Sequence, residues 1–201
     1  MQAEDDDAGL MVAAGRGDRR AFAALFDRHQ ASVVRFCYRF VGTQARAEEL
    51  AQDIFVKLYR GAKGWRPDAK FKTYLFRVAT NHCLNELRRA DVRNEAPEGR
   101  DVHDDDQPSV LHSEPSGDSP QLNLEGKELE AAVTKAMADM SQRERAAFTM
   151  CRFEGMAYRD IAQALDATEA AVKSLIHRAT VTVMRHIEEW QQGLSARRSH
   201  A

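Results

Sequence analysis

Apolar residues recur three and four positions apart over two long stretches of the chain, and the stretch between them has no such period. In the first, Phe22, Leu25, Phe26, His29, Val33, Phe36, Cys37 and Phe40 fall on one helical stripe. The segment SVVRFCYRFV is rich in strand-forming residues, but the longer period predicts a helix, broken by VGTQARA. A second helix is expected over about 45–60, with Ala47, Leu50, Ala51, Ile54 and Leu58 as its core stripe. The loop GAKGWRPDAK follows, then a third helix over about 71–89. Past residue 126, helices are expected over about 127–138 and 141–153. Ser141 stands three residues before Glu144, the spacing of a capping box. Two further helical patterns flank LDAT, and the last is expected to reach Trp190. No repeat and no βα alternation is visible, so the pattern predicts an all-α protein of two small helical domains.

The stretch between them is compositionally different. Pro97, Pro108, Pro115 and Pro120 all fall within 94–126, with the run Asp104-Asp105-Asp106. So acidic and proline-broken a segment has no means of burying a core, so it is expected to be a flexible linker. Charge follows the same division. The whole chain carries −2, but residues 8–93 carry 17 Lys/Arg against 8 Asp/Glu, and residues 94–126 carry one base against nine acids. A basic block beside an acidic one suits a polyanion partner that the bulk number hides. The tail LSARRSHA is expected to be unstructured.

The third helix, FKTYLFRVATNHCLNELRR, has Leu75, Phe76, Ala79, Cys83 and Leu87 on one side and Tyr74, Arg77, Asn81, Asn85 and Arg88 on the other. The second face contains no acid. Arginine supplies charge for phosphates, asparagine offers paired donor and acceptor groups to base edges, and tyrosine stacks on an unpaired base. Trp65, Lys70 and Lys72 lie just before it, and aromatics among cations are the equipment for holding single-stranded nucleic acid. On the second helix Glu48, Glu49, Asp53 and Val56 lie away from the core stripe, near Lys57. That face reads either as solubilising charge or as a surface for docking another protein.

The two helices around LDAT have the features of a helix-turn-helix. Ala162 is small where the helices cross, and Leu165 and Val172 clasp them over Ile161 and Ile176. Asp166 stands in the turn where a positive φ is needed, and Thr168 is placed to cap the last helix. Val172, Ile176, Ala179 and Val183 point inward; Lys173, Ser174, His177 and Arg178 point outward, toward a DNA groove. So few bases bind DNA weakly alone. Leu175 stands where a base is expected.

In this order, AEELAQDIFVKLYRG, FKTYLFRVATNHCLNELRR and MSQRERAAFTMCRFEGMAYRDIAQALDATEAAVKSLIHRA resemble a bacterial RNA polymerase sigma factor of the small extracytoplasmic-function (ECF) type. The resemblance implies region 2 over 8–93, the acidic linker over 94–126 and region 4 over 127–192. Region 2 would bind the clamp of core RNA polymerase, formed by its beta and beta-prime subunits, through Glu48, Glu49, Asp53 and Val56. It would capture unpaired −10 bases through Trp65, Lys70, Lys72, Tyr74, Arg77, Asn81, Asn85 and Arg88. Region 4 would read the −35 element through Arg159, Thr168, Lys173, Ser174, His177 and Arg178. An anti-sigma factor, often membrane-bound, is the implied regulator, so a cytoplasmic protein sequestered at the inner membrane face is expected. Asn85 stands where the family often has Asp, and Leu175 and Thr180 where it commonly has Arg, which implies an altered −35 preference.

Other classes fit less well. A stand-alone regulator needs a sensing domain, and 8–93 shows no βα pattern for one. Ser32 and Tyr38 are conceivable recombinase nucleophiles, but no activating base accompanies them. Cys37, Cys83 and Cys151 are scattered, which suits a reducing compartment, and His82-Cys83 lacks a second ligand pair, so no cofactor or metal is expected. No run reaches the ~18 apolar residues of a membrane span, and the acidic N-terminus is no signal peptide.

Overall fold

The computed structural model describes residues 2–95 and 120–199, which are helices and their connections with no strand among them. The order is α1 (Gln2–Gly15), α2 (Arg19–Val41), α3 (Gln44–Gly61), a 3-10 turn at Ala62–Gly64, α4 (Phe71–Glu95), α5 (Pro120–Asp139), α6 (Gln142–Arg152), α7 (Tyr158–Leu165) and α8 (Glu169–Ser199). The all-α expectation holds.

Helix α2 begins where Asp18 accepts hydrogen bonds from the backbone of Arg20 and Ala21, at 2.9 and 3.2 Å. It ends at Gly42, which takes φ 76° and donates its N–H to the Tyr38 carbonyl. A left-handed residue there favours glycine, which has no Cβ to clash. Between these caps Leu25, Val33, Phe36 and Cys37 are buried, as their period requires. Phe36 is the hub of the first unit. Its ring lies 5.1 Å from Phe40 and 5.2 Å from Phe76 of α4. The α3 stripe is buried throughout, and Phe55 joins it, edge-on to Phe26 at 4.8 Å. Phe71, Leu75, Phe76, Ala79 and Cys83 bury the core side of α4.

In the second unit α5 and α6 pack on α8, with Met137, Met140, Phe148 and Ala179 forming a small core. The capping box forms: Glu144 N–H donates to Ser141 Oγ at 3.3 Å, and Ser141 N–H donates to Glu144 Oε2 at 3.0 Å. Replacing Ser141 with Ala strands one helix-end donor, the Glu144 N–H, and is expected to cost about 1 kcal/mol. Thermal unfolding checks this as a Tm lower by roughly 2–4 °C. The turn between α7 and α8 holds Asp166 at φ 49°, ψ 59°, and Thr168 Oγ1 accepts from the Ala171 N–H at 3.1 Å.

Four expectations are corrected. Helix α1 was not foreseen, because four acids among its first residues hide its short apolar seam of Met11 and Ala14. It is tied down from a distance: buried Asp7 receives Arg28 and, at 2.8 Å, His29, both on α2. The linker is shorter than 94–126, since α4 runs to Glu95 and α5 starts at Pro120, a residue preorganised for a first helical turn; residues 96–119 lie outside the described residues. The C-terminal tail is helical to Ser199, continuing the last helix past Trp190. Leu175 does not face outward. It is 8% exposed and lies beside Val172 and Ile176, because the buried arc of α8 is wider than a single-residue seam.

Candidate nucleic-acid interface

The face of α4 is laid out by its own period. With Leu75, Phe76, Ala79 and Cys83 fixed in the core, Arg77, Asn81, Asn85 and Arg88 are left exposed in a row. Arg88 donates to Asn85 Oδ1 at 3.3 Å, so two members of the row orient each other. Tyr74 is half-buried at the head of the row, and its burial raises the phenol pKa, keeping it a neutral donor. Trp65 packs beside it, with ring centroids 6.3 Å apart and planes tilted by 47°. The pair is a half-open aromatic edge next to cations, the shape on which an unstacked base rests. Lys63 and Arg66 are exposed in the same loop. They were missed because the loop lacks a period by which to orient them.

Lys70 and Lys72 are placed differently from the rest of the row. Both reach the second unit, Lys72 partly covered by it and Lys70 with 43% of its side chain still exposed. Lys70 Nζ lies 3.2 Å from Asp160 Oδ2, and Lys72 Nζ donates to the Glu154 carbonyl at 2.6 Å. Helix α7 packs on α4 here.

On α3, Glu48, Glu49, Asp53 and Val56 are all exposed, Val56 by 46%. Tyr59, 44% exposed, extends the apolar part of this face and was not singled out. Behind the acids lies a polar seam joining α3 to α4. Lys57 Nζ donates to His82 Nδ1, which leaves the ring proton on Nε2, 3.5 Å from Asp53 Oδ2. Burial and then Lys57 lower the His82 pKa, so the ring is neutral. Arg46 bridges Glu49 and Glu86 at 2.6 and 2.7 Å. Burial works against the Glu86 carboxylate, but Arg89 and Arg46 outweigh it and hold its pKa low.

In the second unit Lys173, Ser174, His177 and Arg178 line the exposed side of α8, and Arg159 and Thr168 are exposed on either side of the turn. Arg178 is not a free arm: its Nε donates to Glu144, the capping-box acid. Thr180 spends its hydroxyl on the Ile176 carbonyl at 2.8 Å.

Comparison with known proteins gives this geometry a context. Sigma-70 region 2 matches residues 25–93, and Sigma-70 region 4 matches residues 130–181. The chain is 30% identical to the RNA polymerase sigma-H factor of Pseudomonas aeruginosa, over 94% of this chain and 97% of that one. It is 31% identical to the ECF RNA polymerase sigma factor SigM of Mycobacterium tuberculosis, over 97% and 91%. The chain belongs to the ECF sigma factors. CnrH, solved in complex with the cytosolic domain of CnrY, shares the fold with a TM-score of 0.66 at 20% identity, covering 92% of this chain and 99% of that one. RpoE of Bartonella quintana, solved with the anti-sigma factor NepR, has a TM-score of 0.62 at 18% identity, over 83% and 96%.

As an ECF sigma factor it directs RNA polymerase to promoters for the start of transcription. Sigma factors as a family are not catalysts. Among the described residues no helix is long and apolar enough to cross a membrane. No group of three or more His, Cys, Asp or Glu stands ready to hold a metal ion among them.

Proposed function

We propose that the first unit, over 8–93, docks on core polymerase through Glu48, Glu49, Asp53 and Val56 and holds the melted −10 strand on α4. The second unit, over 127–192, reads the −35 element with the start of α8. The observation that carries this reading is the acid-free exposed row Arg77, Asn81, Asn85 and Arg88 with the Trp65–Tyr74 pair at its head. Catching an unstacked base costs a few kcal/mol, and stacking contributes ~1–3 kcal/mol per base in return. The sigma factor itself needs no catalytic residue for this: Ser32 donates its hydroxyl to Glu154 at 2.6 Å and Tyr38 is buried.

Control by an anti-sigma factor is part of the proposal. It is supported by the shared fold with RpoE, solved in complex with the anti-sigma factor NepR. The regulator would hold the protein away from polymerase, at the inner membrane face if the regulator is membrane-bound.

Asp53→Arg tests the docking half. Reversing an exposed charge leaves the core of α3 untouched and is expected to weaken core binding about tenfold, mostly through slower association. A pull-down with core polymerase, together with run-off transcription from a promoter that core alone ignores, measures it. Unchanged retention and unchanged transcript would remove α3 from the interface.

A further inference from the structure

A buried polar ring lies against the acidic face of α3. His82 belongs to α4, between the exposed Asn81 and the fully buried Cys83, and its side chain is only 4% exposed. Its two nitrogens face Asp53 and Lys57, which stand one helical turn apart on α3. Lys57 Nζ donates to Nδ1, which fixes the tautomer with its proton on Nε2. That second nitrogen is buried and has no hydrogen-bond partner among the described residues. A buried N–H left unpaired lowers stability, so its presence calls for an acceptor.

Asp53 is the acceptor within reach. Its Oδ2 lies 3.5 Å from His82 Nε2, at the outer limit of a hydrogen bond, and its side chain is 66% exposed. Glu86, one turn along α4 from His82, is no rival, because Arg46 holds one of its oxygens and Arg89 the other. Burial and then Lys57 lower the His82 pKa against the pull of Asp53 and Glu86, so the ring is a neutral donor. Water competes for an exposed carboxylate and keeps this contact loose in the free chain. A partner that covers α3 removes the water, and the same two groups attract more strongly in the drier surroundings.

We propose that His82 is a positioning residue for the docking of core polymerase: its Nε2–H holds the inner oxygen of Asp53, which turns the outer oxygen toward a cationic group of the partner. The proposal rests on the reading of α3 as the docking face. His82 touches neither polymerase nor DNA and acts through Asp53, while Lys57 keeps the tautomer in place. The same contact ties the docking face to α4, where Asn81, in the exposed row, is the neighbouring residue.

The affinity of the chain for core polymerase, read by fluorescence anisotropy, tests this. His82→Leu fills the space without a donor and is expected to bind core about fivefold more weakly. His82→Gln places an amide N–H where Nε2 stood and is expected to restore affinity to within about twofold, whereas His82→Asn places it at the Nδ1 end and is expected not to. A role in packing alone predicts instead that Leu is the best of the three, and that order would overturn the proposal. In an Asp53→Ala background His82→Leu is expected to add less than about twofold, because the group it positions is gone. If Asp53→Ala itself leaves core binding unchanged, the docking reading fails and the proposal with it. If Asp53→Ala weakens binding but His82→Leu does not, or if the two losses simply multiply, the positioning role fails and the docking reading stands. Should the His82 variants misfold, the tautomer still decides. Ring nitrogen–proton NMR spectra of the parent chain, with His82 assigned through its backbone, are expected to place the proton on Nε2. A proton on Nδ1 would remove the donor and sink the proposal.

Discussion

Substituting Arg77 and Asn81 together by alanine is expected to lower open-complex formation about 100-fold while leaving polymerase binding intact. Both side chains are exposed in the middle of the α4 row, away from the acidic residues of α3. On the proposed reading one would supply a phosphate contact and the other a contact to a base edge, and contacts of this kind are worth about 1–3 kcal/mol each. Their loss together removes about 2–6 kcal/mol from the melted state, and the lower half of that range corresponds to a factor on the order of 100. Neither residue contributes to the core, so the melting temperature of the protein itself should not move. Permanganate footprinting of the melted strand reads the first effect and pull-down with core polymerase reads the second. Equal thymine reactivity in variant and parent would show that the row does not hold the strand.

Phe36→Ala is expected to have the largest effect on stability. The side chain is fully buried and meets the rings of Phe40 and Phe76. Truncating a buried phenylalanine costs about 3–5 kcal/mol, because the transferred area is lost and the walls close only in part. For a chain of this size that lowers Tm by roughly 6–20 °C. The effect reaches beyond stability. Phe36 is one of the α2 residues against which α4 is seated, with His29 on Phe71 and Cys37 on Cys83, so its loss weakens the hold on the rotation of α4 and on the common aim of the exposed row. Calorimetry measures the first consequence. A Tm within a degree or two of the parent would mean that the α2–α4 joint is held by something other than this ring.

Legibility in the sequence tracked the range of the interaction. The stripes of α2, α3 and α4 were readable because each depends only on spacing within one helix. The exposed row of α4 came with them, as the complement of a correctly placed core. The helix-turn-helix was readable for a related reason: Ala162, Asp166 and Thr168 each answer a local demand of crossing, turn or cap. Helix α1 was hidden because its stability comes from Asp7 reaching Arg28 and His29 on another helix, and from Gly15, where a Cβ would lie 2.4 Å from the Ala62 carbonyl oxygen. The aim of Lys70 and Lys72 was hidden more deeply. Composition marks them as cations beside aromatics, and only the docking of a segment 82 residues downstream reveals what they touch. Leu175 misled because one missing charge on a reading helix was weighed before the width of that helix's buried arc.

Helix α8 carries one more consequence. It is a single rod of 31 residues, about 46 Å long, with the proposed DNA-facing residues Lys173, Ser174, His177 and Arg178 near one end. The other half is anchored to α5, where His186 and Arg185 hold Asp139 at 2.8 and 3.2 Å and the Trp190 indole donates to Glu128. Such a rod is a lever whose fulcrum lies away from the DNA. A tilt of ~5° about the Arg185–Trp190 anchor moves Lys173, at the far end, by ~2 Å, about half the rise of one base pair. If α8 reads the −35 element as proposed, its register there is set in part by packing at residues far from the bases.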